Sequence, residues 1–287
     1  MVEFFDPITD KKISFHLTPR LQKNLDEIKE KLQKKDKDHP IIIDGYEGSG
    51  KSVFGMQISK YVDPTLCLDR ICMNPQQFKD AIIKAQPHQA VIFDEAFTGL
   101  SARSSLSEIN RMLVSMMMQM RQKNLFVVVI LPNVFMLDKY VALSRAAGLF
   151  HIWEKKGRHY WRCFNRNKLK RLILTGSKTY TYHQVAKFVS YKGNFYGKYV
   201  IDEDAYRDKK RKALEEAEEN IKEHKYIIQR NLLIYILIKE LGLTQTKVAK
   251  LCKKHKIPLT QQAVSVIFQK FVENPMLLPI TRHKNIL

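Results

Sequence analysis

Cysteine is scarce in this sequence, and the little there is lies scattered. Cys67, Cys72, Cys163 and Cys252 are the whole complement, too few and too dispersed for a disulfide framework. Cys67 and Cys72 have no second Cys or His pair nearby, which sets zinc aside, and the four read as reduced thiols of an intracellular protein. The histidines show no metal-ligand spacing. Long apolar runs are also missing. Leu125–Leu131 and Leu232–Ile238 are the longest at seven residues each, against the roughly 20 a membrane-spanning helix needs. Residues 1–20 alternate charged and apolar positions and hold no signal-peptide core. A soluble, cytoplasmic protein without a membrane span is expected. No internal repeat and no low-complexity tract is present.

Negative charge is the other shortage. Asp and Glu number 29 against 49 Lys and Arg, a formal net charge of +20 over 287 residues. The deficit is uneven: residues 1–153 carry net +3 and residues 154–287 net +17. A near-neutral front and a strongly basic back suggest that one part handles something small while the other faces a polyanion. With 45% hydrophobic residues the chain is long enough to bury a substantial core, and wholesale disorder is excluded.

What is there reads as alternating strands and helices. Thr18-Pro19 offers a capping hydroxyl and a proline at the first helical position, with Leu21, Leu25, Ile28 and Leu32 following at helical spacing. Pro40–Asp44 is a short β-branched run leading into glycines, as a buried parallel strand does. Lys51–Val62 predicts a helix, Ala90–Phe93 a second buried strand and Phe126–Leu131 a third. Ser105 with Glu108 predicts a capping box opening the helix that carries Leu106 to Met120. A helix over about 135–146 and a strand at Leu149–Trp153 complete an α/β pattern, a mainly parallel sheet covered by helices. Beyond Trp153, Gly157 between aromatic-rich runs predicts a hairpin, with β-prone stretches to about Ile201 and helices after Asp202. The expected organisation is an N-terminal helical lead over 1–37, a phosphate-binding core over 38–153, a small basic β-rich extension over 154–201, and a helical C-terminal module over 202–287.

The sharpest motif is Gly45-Tyr46-Glu47-Gly48-Ser49-Gly50-Lys51-Ser52, two glycines five positions apart followed by Lys and Ser, between a predicted strand and a predicted helix. Glycines let backbone N–H groups turn toward phosphate oxygens, Lys51 offsets β/γ charge, Ser52 can ligate Mg²⁺, and the helix N-terminus favours the anion. Val91–Glu95 places an acidic pair at a strand end: Asp94 to hold Mg²⁺, Glu95 to orient and deprotonate a water attacking the γ-phosphate of ATP. The same pair could also cap a helix. Asn133, after the third strand, is a candidate γ-phosphate contact or an ordinary turn residue. Arg145 is a candidate arginine finger toward a neighbouring subunit or a solvated helix end, with Arg121 and Arg103 as lesser candidates.

Residues 154–212 carry 17 Lys and Arg against 5 acidic residues, with aromatics interleaved, a pattern that suits nucleic acid or a solvated basic face. Leu243–Leu251 and Leu259–Phe268, each opened by Thr-Gln, suggest either a DNA-binding helix-turn-helix or plain helical packing.

With these motifs in place, residues 38–153 resemble the additional-strand P-loop ATPases of the FtsK–HerA type, which include DNA translocases, viral packaging ATPases and zonular occludens toxin-like proteins. GYEGSGKS at 45–52, VIFDEA at 91–96 and the order MRQKN, strand, LPN, LDKY, Arg145 carry the resemblance. It implies that Lys51 and Ser52 bind nucleotide and Mg²⁺ and that Asp94 and Glu95 support hydrolysis. This chain has Asn133 where many members have glutamine, and no transmembrane segment. The expected function is an ATP-hydrolysing, DNA-handling motor that assembles as a homo-oligomeric ring. The alternatives are an ATP-switched DNA-binding regulator or loader and, further off, a nucleotide kinase.

Overall fold

In the computed structural model, residues 1–94, 102–177, 182, 189–255, 257 and 259–273 are described, with the backbone alone at 4, 102–109, 117, 118, 217, 218, 220–225, 228 and 270. The order is β1 (Val2–Asp6), β2 (Lys11–Phe15), α1 (Pro19–Lys34), β3 (His39–Gly45), α2 (Lys51–Val62), β4 (Ile71–Cys72), α3 (Pro75–Lys84), β5 (Ala90–Asp94), α4 (Ala102–Gln122), β6 (Phe126–Ile130), β7 (Gly148–Lys155), β8 (Arg158–Asn165), α5 (Arg166–Gly176), β9 (Tyr191–Phe195), α6 (Glu203–Lys239), α7 (Gln245–Lys254) and α8 (Gln261–Glu273).

Seven strands form the central sheet in the order β4-β5-β6-β3-β7-β8-β9. From β4 to β7 every pairing is parallel, and β8 and β9 continue the sheet antiparallel. The protein is thus a mixed α/β fold with a mainly parallel sheet flanked by helices. Continuous apolar strands such as Ile41-Ile42-Ile43 suit this position because both faces are covered. Ile42, Val127, Val129 and Leu149 face one core with Leu113 of α4 and Leu172 of α5. Ile41, Ile43, Val128 and Phe150 face the other with Leu25 of α1 and Phe54 of α2. Strand β6 lies between β3 and β5, so the strand leading into the glycine loop and the strand ending at Asp94 are not neighbours.

Several expectations need correction. The N-terminal lead is not purely helical: β1 and β2 pair antiparallel before α1. Thr18 stands at the N-cap of α1 with Pro19 behind it, but its hydroxyl makes no capping bond. Helix α4 is already under way at Ala102, ahead of Ser105, so Ser105 and Glu108 lie inside it and not at its start. The helix expected over 135–146 is broken into a 3-10 turn at Val134–Met136 and a π turn at Val141–Arg145. Side chains compete with the helix there: Asn133 accepts from the Phe135 amide at 2.9 Å, and Asp138 accepts from the Tyr140 amide at 2.8 Å.

The Lys156-Gly157 turn joins β7 to β8 as the hairpin signal implies, with φ of 53° and 69°. The basic stretch after it is not all β: α5 intervenes, capped by Asn165 accepting from the Lys168 amide at 3.1 Å. Nor does it fold apart from the core, since β8 and β9 belong to the same sheet as β3. The chain divides into two compact units, Met1–Glu215 and Glu216–Leu287. In the second unit, α7 and α8 pack with the end of α6 around Ile234, Val248, Cys252 and Val264. Thr244 and Thr260 cap α7 and α8, accepting from the Lys247 and Ala263 amides at 3.3 and 3.2 Å. No described helix is long and apolar enough to cross a membrane.

Candidate nucleotide site

The glycine-rich segment leaves β3 and enters α2 in a tight loop. Gly45 has φ of 141°, and a Cβ there would collide with the Ile152 carbonyl oxygen of β7, so strand pairing alone requires glycine. Gly50 caps α2 in the left-handed conformation with φ of 89°, where a Cβ would also approach Phe195 to 3.1 Å and His159 to 3.3 Å. Ser49 is buried, its hydroxyl donating to the Tyr46 carbonyl at 2.7 Å. Tyr46 and Glu47 are exposed at the tip, and Gly48 turns the chain with φ of 74°.

Lys51 opens α2 and folds back over the loop, its Nζ donating to the carbonyls of Gly45 and Tyr46 at 2.7 Å each. Burial pulls this lysine below its ordinary pKa; Asp44 and Asp94 oppose the shift, and Lys210 adds to it. The two carbonyl bonds hold the ammonium over the loop. Asp94 ends β5 at 2% exposure. Its carboxylate accepts from the Tyr206 hydroxyl, and Ser52 lies close enough to that phenol to act on its titration, lowering it against the larger upward push of burial and of Asp94. The phenol thus lies beside both Ser52 and Asp94, two hard oxygen donors of the kind Mg²⁺ takes. The donor chemistry fits the metal. Among the described residues no cluster of three or more His, Cys, Asp or Glu offers a different one.

The loop is braced from both sides. Asp44, fully buried just before Gly45, accepts from the Val134 amide at 2.9 Å and from Tyr182, and lies 2.9 Å from His151 Nδ1. It ties the end of β3 to the turn after β6 and to β7. On the other side His159 Nδ1 lies 3.1 Å from the Ser49 carbonyl, and its ring packs on Phe195 at 5.2 Å.

Lys51, Ser52 and Asp94 are thus brought together, whereas Glu95 lies outside the described residues. Asn133 sits at the sheet end beside the loop, its side-chain oxygen spent on the Phe135 amide. Arg145 is placed elsewhere. It pairs with Asp38 at 2.6 Å, just ahead of β3, the opposite end of that strand from Gly45. Sequence reasoning missed Asp44, His159, Tyr206 and Lys210. An i,i+4 Tyr–Lys pair on a charged helix gives no sign of the carboxylate it meets, more than a hundred residues earlier.

The class the fold shows is a mixed α/β protein with a mainly parallel sheet flanked by helices, an arrangement consistent with a P-loop-like fold. No protein-family model and no curated protein matches the chain. Among solved structures it is similar to the N-terminal domain of zonular occludens toxin from Neisseria meningitidis, at 14% identity over 60% of this chain and 98% of that one, with a TM-score of 0.33.

Proposed function

We propose that the protein binds and hydrolyses ATP and couples this to handling DNA, as a translocase or packaging-type motor working in a homo-oligomeric ring. The observation that carries the nucleotide reading is the convergence of Lys51, Ser52 and Asp94 at the mouth of one glycine loop. Loop amides and the α2 N-terminus would receive the phosphates, with Lys51 exchanging its two carbonyl partners for phosphate oxygens. Ser52 and Asp94 would hold Mg²⁺, which when bound offsets charge on the β- and γ-phosphates. Glu95 would take the proton of the attacking water. Asn133 would contact the γ-phosphate by its amide nitrogen. Arg145 would act toward a neighbouring subunit, with its Asp38 pair opened.

The DNA part of the reading is supported by charge. Net +17 falls after residue 153, and the capped helix α7 presents Lys247, Lys250, Lys253 and Lys254, in a compact unit with α8 suited to a groove. A second reading, an ATP-switched DNA-binding regulator with slow turnover, is favoured by the Tyr206 hydroxyl on Asp94, which obstructs rapid metal entry.

ATP hydrolysis by the full chain with and without duplex DNA separates the readings: strong stimulation for a motor, weak for a switch. A salt titration of DNA binding should give a slope near −5 in log K against log salt, for about six phosphates neutralised. A flat response overturns the DNA reading.

A further inference from the structure

The point where Ser52 and Asp94 converge is held by a third side chain. Tyr206, in the first turn of α6, is 3% exposed, and its hydroxyl donates to the Asp94 carboxylate with Ser52 beside it. One turn further along α6, Lys210 holds its ammonium 3.8 Å from the other Asp94 oxygen. A carboxylate buried to this degree needs hydrogen bonds or opposite charge around it. Here a phenol proton and an ammonium supply that compensation at the place where a divalent cation would.

The arrangement is built rather than incidental. Asp202 caps α6 through the Ala205 amide at 2.8 Å, fixing the turn that carries Tyr206. Lys209, between the two, donates to the Leu68 carbonyl at 2.8 Å. The Tyr206 ring packs against Tyr199 at 5.6 Å, and Gln57 of α2 anchors the incoming segment through the Tyr196 and Lys198 carbonyls at 2.8 Å each. The hydroxyl is thus delivered to Asp94 from a ring and a helix that are both held.

We propose that Tyr206 and Lys210 are members of the nucleotide site, a resident plug that occupies Ser52 and Asp94 in competition with a nucleotide-bound divalent cation. The inference rests on the nucleotide reading above. It differs from a merely structural contact in one respect: Tyr206 opposes the cation, not the nucleotide, so its effect resides in the magnesium dependence of binding. Tyr206 withdraws from Asp94 for the pair to take the cation, and the first turns of α6 shift with it.

The test is calorimetric titration of the full chain with ADP and with a slowly hydrolysed ATP analogue, each in Mg²⁺ and in EDTA. Tyr206→Phe keeps the ring and removes the hydroxyl. It should raise the ratio of the Mg²⁺ to the EDTA affinity about tenfold, the scale of one hydrogen bond to a charged group, and leave the EDTA affinity within about twofold. Lys210→Met should raise the same ratio. In the unmodified protein, trypsin cleavage at Lys209–Lys212 should speed up with Mg²⁺ and the analogue but not with the analogue in EDTA. This readout stands even if Tyr206→Phe folds poorly. A ratio that is unchanged or lowered in the variants, or cleavage indifferent to Mg²⁺, overturns the plug and leaves the nucleotide site intact. Failure of every form to bind either nucleotide overturns the site reading, and the plug with it.

Discussion

The ammonium of Lys60 lies 2.8 Å from the carboxylate of Asp6, with the two side chains 1% and 3% exposed. The pair fastens α2, the helix behind the glycine loop, to the turn of the N-terminal hairpin. Further hydrogen bonds support it: Lys60 also donates to the Leu66 carbonyl at 2.9 Å, and Asp6 accepts from the Ile8 amide and the Thr9 hydroxyl. A buried ion pair completed in this way is costly to halve.

Lys60→Met should therefore lower stability by about 3–5 kcal/mol, because it strands the Asp6 carboxylate. Lys60→Met with Asp6→Leu should recover part of the loss, as read from urea midpoints. Burial pushes Asp6 up, but bonds from Lys60, Thr9 and the Ile8 amide outweigh it and hold the group below 3.8. Its contribution is complete above about pH 4 and is lost as pH falls through the lower folded value. The double variant should lack that acid-sensitive component.

Lys51→Ala should abolish tight binding of ATP with Mg²⁺ and leave thermal unfolding little changed, since the side chain bonds only loop carbonyls. Glu95→Gln should keep binding and cut turnover by about 10² or more, the scale of a lost general base. Equilibrium dialysis beside a phosphate-release assay checks both, and equal loss of binding would refute the division of roles.

The ion pair of Arg145 and its proposed action toward a neighbouring subunit can be told apart. Its ion pair with Asp38 joins side chains 19% and 10% exposed, so Arg145→Ala and Asp38→Asn should both lower the unfolding temperature. Turnover by the assembled protein should fall in Arg145→Ala and persist in Asp38→Asn. Mixing Arg145→Ala with Glu95→Gln subunits should restore part of it, and no recovery would leave Arg145 a structural residue.

His39, at the start of β3, is lowered to about 4, first by burial and then by the positive charges of Lys31 and Arg166. Its unfolded value is near 6.5, so the unfolded chain takes up a proton that the folded chain refuses. Stability from this group is complete above about pH 6.5 and is lost progressively as pH falls through about 4. Urea midpoints measured across that range should slope upward with pH, and less steeply in His39→Phe.

The parts of the site encoded by consecutive residues were legible in the sequence. Strand, glycine loop and helix follow one another from His39 to Val62, and each carries its own local signal. Asp94 was legible because a buried strand runs straight into it. The α/β pattern of the front half followed from the same periodicity. Where side chains bond their own backbone, periodicity misled. Asn133 and Asp138 break a segment whose apolar spacing reads as helix. Helix α5 was readable from Asn165 and from the spacing of Leu169, Leu172 and Ile173, but the aromatic and β-prone residues around it masked the signal. Tyr206 could not be found this way, because its partners Ser52 and Asp94 lie far back in the chain and no spacing rule links them.

The loop's walls have a consequence for how the protein comes into being. Ser49 and Gly50 are synthesised early, yet they rest against His159 and Phe195, and Asp94 meets a tyrosine at position 206. These are contacts of long sequence separation, which close late because chain entropy must be spent before they form. A nascent chain would expose its glycine-rich segment well before β8 and β9 add themselves to the sheet edge. Capacity to hold nucleotide should then arrive in a single late step, when the last two strands dock, and a chain stalled near residue 153 should have none.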